Sequence, residues 1–308
     1  MKGVSVIICT KDRPYDLQRL LNSIARQTYK EIQLIVVNGG NVSVEEQVKD
    51  TVLLLKKMIR DINWIHTKPG LTLQRNIGIG QAKCPILIFF DDDIILESDC
   101  IEQFVKAFQL DLSIGAVCGR IKNIRDDRYK ISRIKLFLYR MFQRVFALAG
   151  DGNGRFKYST LATNPHLIEE SRYIECLSGC CMAFRQSVFQ GTGVSFDPFF
   201  VGYCYREDVE ISKQVLSKGW KIYYAANARL QHLVSCTARL QERDAAKMLV
   251  ENSFYIYTKH WRKSFFRTLA FHWAMLGYVI ESLILKRFGR VIGIMEGIIK
   301  VNFSKRFI

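Results

Sequence analysis

Residues 85–96 read PILIFFDDDIIL, an apolar run fit for a buried strand that ends in three consecutive carboxylates, Asp91, Asp92 and Asp93. A core strand normally passes into a turn with at most one acid. Adjacent carboxylates repel one another, so something positive must hold them ionised. Where the backbone turns, Asp91 and Asp93 can aim at the same space. Hard oxygen ligands of that kind suit Mg²⁺ or Mn²⁺, and such a cation would bind an anionic substrate such as a diphosphate. The plain alternative is a solvated acidic turn, against which the buried strand directly before the triplet argues.

On the N-terminal side, VSVIIC (4–9) and IQLIVV (32–37) are runs of the same kind as PILIFF, with NWIH (63–66) between the last two. They alternate with helical patterns through Leu17, Leu20, Leu21 and Ile24, through Val52, Leu55 and Ile59, and around Leu73 to Ala82. Apolar runs of about six residues alternating with amphipathic helices indicate a parallel sheet covered on both faces. The expected fold class is therefore α/β: a doubly wound, Rossmann-like, mostly parallel sheet with helices on both faces, whose ligands sit at the carboxyl ends of strands. CTKDRP (9–14), NGGN (38–41) and the acidic triplet lie at such ends.

On the C-terminal side, residues 120–149 read as a basic amphipathic helix, and 151–166 as an irregular loop. SGCCMAFRQSVF (178–189) reads as a strand entering a helix, and YREDVEISKQVLSKGWKIYY (205–224) as an acidic helix start followed by a strand. Residues 240–308 read as mostly helical and basic.

A chain of 308 residues at 49% hydrophobic can bury a large core, enough for one sizeable domain plus an appendage. Two segments, 120–144 and 259–308, carry fifteen of the sixteen surplus positive charges. The nine cysteines are scattered without a CxxC pair, which favours a reducing, cytosolic setting. MKGVSVIICTKDRP is too short in apolar length to act as a signal peptide. The longest charge-free apolar run near the C-terminus, Thr268–Ile280, has thirteen residues and includes His272, short of the roughly 20 needed to span a bilayer. An interfacial helix is compatible with it; a transmembrane one is not expected.

Four pieces carry a more specific signal: VSVIICTKDRPYDLQRLLNSIARQTYKEIQLIVVNGG, GLTLQRNIGIGQAKCPILIFFDDDIIL, SGCCMAFRQSVF and YREDVEISKQVLSKGWKIYYAANARLQH. In this order, over about residues 3–235, the chain resembles the family 2 inverting glycosyltransferases of the GT-A fold. The resemblance implies transfer of a sugar from a nucleotide-diphosphate donor to an acceptor hydroxyl, with inversion, in cell-surface polysaccharide or glycolipid synthesis. It implies a catalytic domain over 1–238, with a nucleotide-sugar half at about 1–120 and an acceptor half at about 121–238, followed by a basic amphipathic helical region at 239–308.

The resemblance also implies site residues. Thr10, Lys11, Asp12 and Asn38 would hold the nucleotide, Arg75 would lie near the donor, and Asp91, Asp92 and Asp93 match the DxD-type motif. Asp93 is the metal ligand of that motif, with Asp91 and Asp92 contacting ribose or the metal's surroundings; Asp91 is counted with the metal as well. Asp208 is the expected general base, with Glu207 beside it. His232 corresponds to a histidine that some relatives use as a further metal ligand.

The chemistry agrees. Displacement at the anomeric carbon builds negative charge on the departing diphosphate, which a divalent cation stabilises. The acceptor hydroxyl must lose a proton, for which a carboxylate serves. Each residue also has a structural reading: Arg75 as a surface helix arginine, Glu207 and Asp208 as ordinary first-turn acids, His232 as a satisfied structural histidine. Cys176, Cys180, His232 and Cys236 could be read as a zinc site, but neither pair has the usual closer spacing.

Rival functions fit less well. A dinucleotide oxidoreductase needs glycines that CTKDRP lacks. An Asp-nucleophile, metal-dependent phosphatase normally carries its DxD on the first strand. A nucleic-acid-binding protein gives no reason for the carboxylates or for the apolar residues threading the basic segments.

Those basic segments suggest a surface partner. Ile131, Ile134, Leu138, Met141 and Val145 fall on one helical face, with Arg133, Arg140 and Arg144 about opposite. FFRTLAFHWAMLGYVIESLILKRFGRVIGIMEGIIK (265–300) repeats the pattern, flanked by Lys286, Arg287, Arg290 and Lys300. This is the pattern of interfacial helices. The expectation is an enzyme peripheral on the cytoplasmic, inner face of the cell membrane, acting on a glycan or lipid-linked acceptor. The alternatives are that these helices pack on the catalytic domain or form a homodimer.

Overall fold

The computed structural model describes residues 3–40, 43–123, 132–149, 152–166, 168–233, 235 and 240–303. The described chain forms two compact units, Met1–Ile124 with Ile168–Cys236, and Arg125–Leu167 with Thr237–Ile308.

The first unit begins with β1 (Val4–Thr10), α1 (Pro14–Ala25), β2 (Ile32–Asn38), α2 (Val44–Gln47), α3 (Lys49–Lys56), β3 (Asp61–His66), α4 (Leu71–Gln81) and β4 (Ile86–Asp91). It continues with β5 (Ile94–Leu96), α5 (Cys100–Leu110) and β6 (Ile114–Ile121). The second unit contributes α6 (Arg133–Val145), after which the first resumes with β7 (Arg172–Ile174), β8 (Cys181–Arg185), α7 (Glu207–Ser217) and β9 (Lys221–His232).

Among the described residues the sheet has nine strands, in the order β3-β2-β1-β4-β8-β6-β9-β5, with β7 also on β9. β1 to β4 are mutually parallel, β8 is antiparallel to both β4 and β6, and β9 is parallel to β6 while β5 and β7 oppose it. Most strands therefore share one direction, as expected. Strands covered on both faces need apolar residues at successive positions. In β1, Val4, Val6 and Ile8 pack on one side with Leu17, Leu20, Leu21 and Ile24 of α1, while Ile7 faces the other with Ile35 and Phe89. Pro14 at the first helical position suits α1, because the missing N–H would have no partner there. On the opposite face α4 lies close to β1: a Cβ on Gly78 would stand 2.4 Å from Ile7 Cγ2.

Register brings the loops of interest to one end. Thr10 pairs with Asn38 and Cys9 with Asp91, and the Asp91 N–H donates to the Cys180 carbonyl just before β8. Ile94 pairs with His232 at the end of β9, and the Leu233 N–H donates to the Asp93 carbonyl. The triplet is thus a turn between two strands.

In the second unit, α8 (Glu242–His260), α9 (Phe265–Ile284) and α10 (Phe288–Phe303) follow α6. α10 packs closely on α8, since a Cβ on Gly293 would lie 2.0 Å from the Arg243 carbonyl oxygen. Phe146 stacks on Trp273 at 4.8 Å.

Three details differ from the sequence expectations. The helix expected from Arg120 starts at Arg133, because Arg120 and Ile121 end β6 by pairing with Arg229 and Leu230. β8 leads into a short 3-10 turn, Gln186–Val188, in place of a full helix. Residues 132–149 and 152–166 fall in one compact unit with the C-terminal helices, so the compact units do not follow the cut at 238. Asn41, Ile131 and Cys236 lie outside the described residues.

Candidate active site

The three acids of the triplet take three different partners. Asp92 turns away from its neighbours and is buried, accepting hydrogen bonds from Thr10 Oγ1 at 2.7 Å and Arg13 Nη1 at 3.2 Å. Burial raises its pKa to about 7, with Thr10 and Arg13 opposing. Asp91 keeps a third of its side chain exposed and pairs through Oδ1 with Arg75 Nη2 at 3.2 Å. Asp93 Oδ2 accepts from the Ser235 N–H at 2.9 Å.

Asp91, Asp93 and His232 each offer a ligand atom, and these atoms all lie within 4.8 Å of one another. His232 Nε2 stands 3.1 Å from Asp93 Oδ1, yet that buried oxygen has no hydrogen-bond partner of acceptable geometry among the described residues. Burial works against charge on His232, but the neighbouring Asp93 raises its pKa to about 9. Two hard oxygens, one of them buried with only the His232 imidazole beside it, and that imidazole nitrogen fit a divalent cation such as Mn²⁺. Such an ion would compete with the His232 proton.

Arg75 ties this trio to the second acidic motif. Its guanidinium is almost wholly buried over the Phe196 ring, with Nη1 on Glu207 and Nη2 on Asp91 and, at 2.9 Å, on the Gly179 carbonyl. Burial opposes that charge, but Glu207 and Asp91 overcome it and hold the arginine above its ordinary pKa. Burial pushes the Glu207 carboxyl up against the pull of Arg75, and Glu207 Oε2 is buried without a hydrogen-bond partner among the described residues.

Asp208 lies at the start of α7, where backbone N–H groups favour an anion. Its Oδ2 accepts from the Gly179 N–H at 3.1 Å and its Oδ1 from the Val209 N–H at 2.8 Å. Burial raises its pKa, opposed first by Arg206.

The remaining expected residues sit at the ends of β1 and β2. Thr10 and Asn38 are buried, and Asn38 Oδ1 accepts from the Gly40 N–H at 2.8 Å. Lys11 and Asp12 are exposed, with Asp12 in the left-handed region at φ 54. A Cβ on Gly40 would stand 2.7 Å from the Asp12 backbone nitrogen, so the two loops meet this closely because residue 40 is glycine.

Arg13, Gln74 and Gly179 also belong to the site, though residue type alone does not mark them. Arg13 lies inside CTKDRP, and its signal was the need for a cation beside three acids. Gln74 precedes Arg75 and donates to the Thr10 and Val37 carbonyls at 3.0 and 2.8 Å, fixing both strand ends. Gly179 acts through its backbone, which leaves no side-chain signal.

A family model described as glycosyl transferase family 2 matches residues 5–192. The chain belongs to this family. The glycosyltransferase GlyA of Streptococcus pneumoniae serotype 4 is 28% identical over 116 residues, 36% of this chain and 16% of that protein. A glucosyl-dolichyl phosphate glucuronosyltransferase of Haloferax volcanii is 26% identical over 120 residues, 38% of each chain. This chain thus spans well under half the length of either. Among solved structures, the mannosyltransferase PcManGT from Pyrobaculum calidifontis, in complex with GDP-Man and Mn²⁺, aligns over 98% of this chain and 87% of its own, with a TM-score of 0.62 and 15% identity. That likeness shows the GT-A fold for this family 2 member. Family membership also sets aside the phosphatase and nucleic-acid readings.

Proposed function

We propose that this family 2 member transfers a sugar from a nucleotide-diphosphate donor to an acceptor hydroxyl, with inversion at the anomeric carbon and dependence on a divalent cation. The observation that carries the reading is the Arg75 bridge: one buried guanidinium joins Asp91 of the triplet to Glu207, which lies 132 residues beyond Arg75 and next to Asp208. Two acidic motifs far apart in sequence thereby form one site.

In this reading Asp91, Asp93 and His232 hold Mn²⁺ or Mg²⁺. The cation supplies charge stabilisation for the departing diphosphate. Thr10, Lys11, Asp12 and Asn38 form the nucleotide cradle, and Asp92 fixes it through Thr10 and Arg13. Arg75 orients Asp91 and Glu207 beside the donor.

Asp208 is the general base. Its two backbone N–H donors orient the carboxylate and leave lone pairs for the acceptor hydroxyl. Glu207 has one carboxylate oxygen taken up by Arg75, and in this reading its part is to hold that guanidinium in place. A single displacement with the base on the face opposite the leaving group gives inversion.

The acceptor is a glycan or a lipid-linked sugar in cell-surface polysaccharide or glycolipid synthesis, reached from the cytoplasmic, inner face of the membrane. The dolichyl-phosphate-linked sugar in the name of the Haloferax relative supports a lipid-linked acceptor.

A thermal-shift screen of nucleotide sugars with and without Mn²⁺ tests the reading, because a ligand that binds only the folded state raises the Tm by mass action. At least one nucleotide sugar should raise the Tm in Mn²⁺ and lose that effect in chelator. A complete screen without a Mn²⁺-dependent shift contradicts the reading.

A further inference from the structure

The helical unit turns apolar residues outward on helices whose inner faces are already satisfied. On α6, Ile134, Leu138, Met141 and Val145 are exposed, Ile134 at 73%, while the inner positions are polar: Gln143 is buried and donates to Glu281, toward which Tyr139 also points. An ordinary surface helix has the reverse arrangement. On α9, Phe271, Ala274, Met275 and Tyr278 are buried, whereas Leu269 is 53% exposed and Trp273, Leu276 and Leu283 are exposed with it. The two stripes adjoin, since Trp273 Nε1 donates to the Val145 carbonyl at 2.8 Å. α10 repeats the arrangement, with Gly293, Ile294 and Gly297 buried toward α8 and Ile292, Met295 and Ile299 exposed.

Charge decides what covers these stripes. At about 100° of rotation per residue, Lys135 and Arg144 stand about a quarter-turn from the α6 stripe on its two sides and Arg140 lies farther round toward the opposite face, and all three are exposed. Arg262 and Lys286 are exposed at the ends of α9. Arg287, Arg290 and Lys300 are instead paired with Glu242, Glu281 and Glu251 and contribute less. A second copy set on this surface would oppose like charges, whereas an anionic leaflet complements them. No helix among the described residues is long and apolar enough to cross a membrane, so the contact is interfacial.

We propose that the exposed stripes of α6, α9 and α10 dock into the surface of an anionic lipid bilayer, with the flanking lysines and arginines against lipid phosphates. The inference deepens the membrane location in the reading above and rests on that reading for its purpose, while its test is independent of catalysis.

The test is flotation of the full chain with phosphatidylglycerol or phosphatidylcholine vesicles at low and high salt. Binding should require phosphatidylglycerol and weaken with salt. Leu138→Glu with Leu276→Glu should reduce it at least tenfold, as should Arg140→Glu with Arg144→Glu. Both pairs lie on exposed positions, so unchanged Tm and unchanged Mn²⁺-dependent donor binding should accompany the loss. Failure of the wild type to float overturns the proposal, as does a dimer that Leu138→Glu dissociates without any vesicle binding. Flotation without donor binding by the wild type would count against the catalytic reading and leave the docking surface standing.

Discussion

The guanidinium of Arg75 forms a buried ion pair with the Glu207 carboxylate, and its second amino group reaches Asp91 at 3.2 Å. Removing one partner of a buried pair leaves an uncompensated charge, at a cost of about 3–5 kcal/mol. Arg75→Met should therefore lower unfolding free energy in urea by about that amount, and Arg75→Met combined with Glu207→Gln should recover part of it. A single variant as stable as the wild type would show that the pair does not organise the site.

Asp208→Asn preserves shape and removes proton-accepting ability. Turnover should fall on the order of a hundredfold or more, while the donor-induced thermal shift stays near the wild-type value. Near-normal turnover in Asp208→Asn, with a large loss in Glu207→Gln, would move the base to Glu207.

Asp92 supplies a pH prediction. Burial raises its pKa from 3.8 to about 7, so the folded state prefers the protonated acid and ionisation weakens the fold. That contribution is fully present below the unfolded value of 3.8 and is lost as pH rises through about 7. Asp92→Asn cannot ionise, so its Tm relative to the wild type, measured without metal, should climb between those two values. A difference that stays flat or falls with rising pH would mean that Thr10 and Arg13 stabilise the ionised carboxylate more than burial penalises it.

The parts of the fold legible in sequence are those where burial alone dictates composition. β1, β2 and β4 are covered on both faces and read as apolar runs interrupted only by Ser5 and Gln33, which hydrogen-bond each other. β6 is harder to see, because Gly115 and Gly119 replace side chains where Trp220 and the Ala228 carbonyl approach, and small residues carry no strand signal. The break between β6 and α6 is hidden because basic residues recur on both sides of it; pairing with β9 decides where β6 ends. The insertion of antiparallel β8 between β4 and β6 is a tertiary choice.

The site shows the same division. Alternate spacing brought Asp91 and Asp93 together, and the distant His232 joins them because β9 ends against β5. Spacing could not show that Asp92 turns to Thr10 and Arg13, since that depends on a turn that only the register of two strands sets. Nor could it show Arg75 buried between both motifs, because arginine on a helix is exposed by default.

In the proposed reaction Asp91, Asp93 and His232 hold a divalent cation on which donor binding depends. This is tested most directly by titrating Mn²⁺ into the full chain, with the electron paramagnetic resonance signal of the free ion as readout and UDP or GDP present. Each wild-type chain should take up a single Mn²⁺, and Asp93→Ala should lose that uptake with the fold intact by circular dichroism. Equal uptake by Asp93→Ala and wild type, or no uptake by the wild type with either nucleotide, would contradict it.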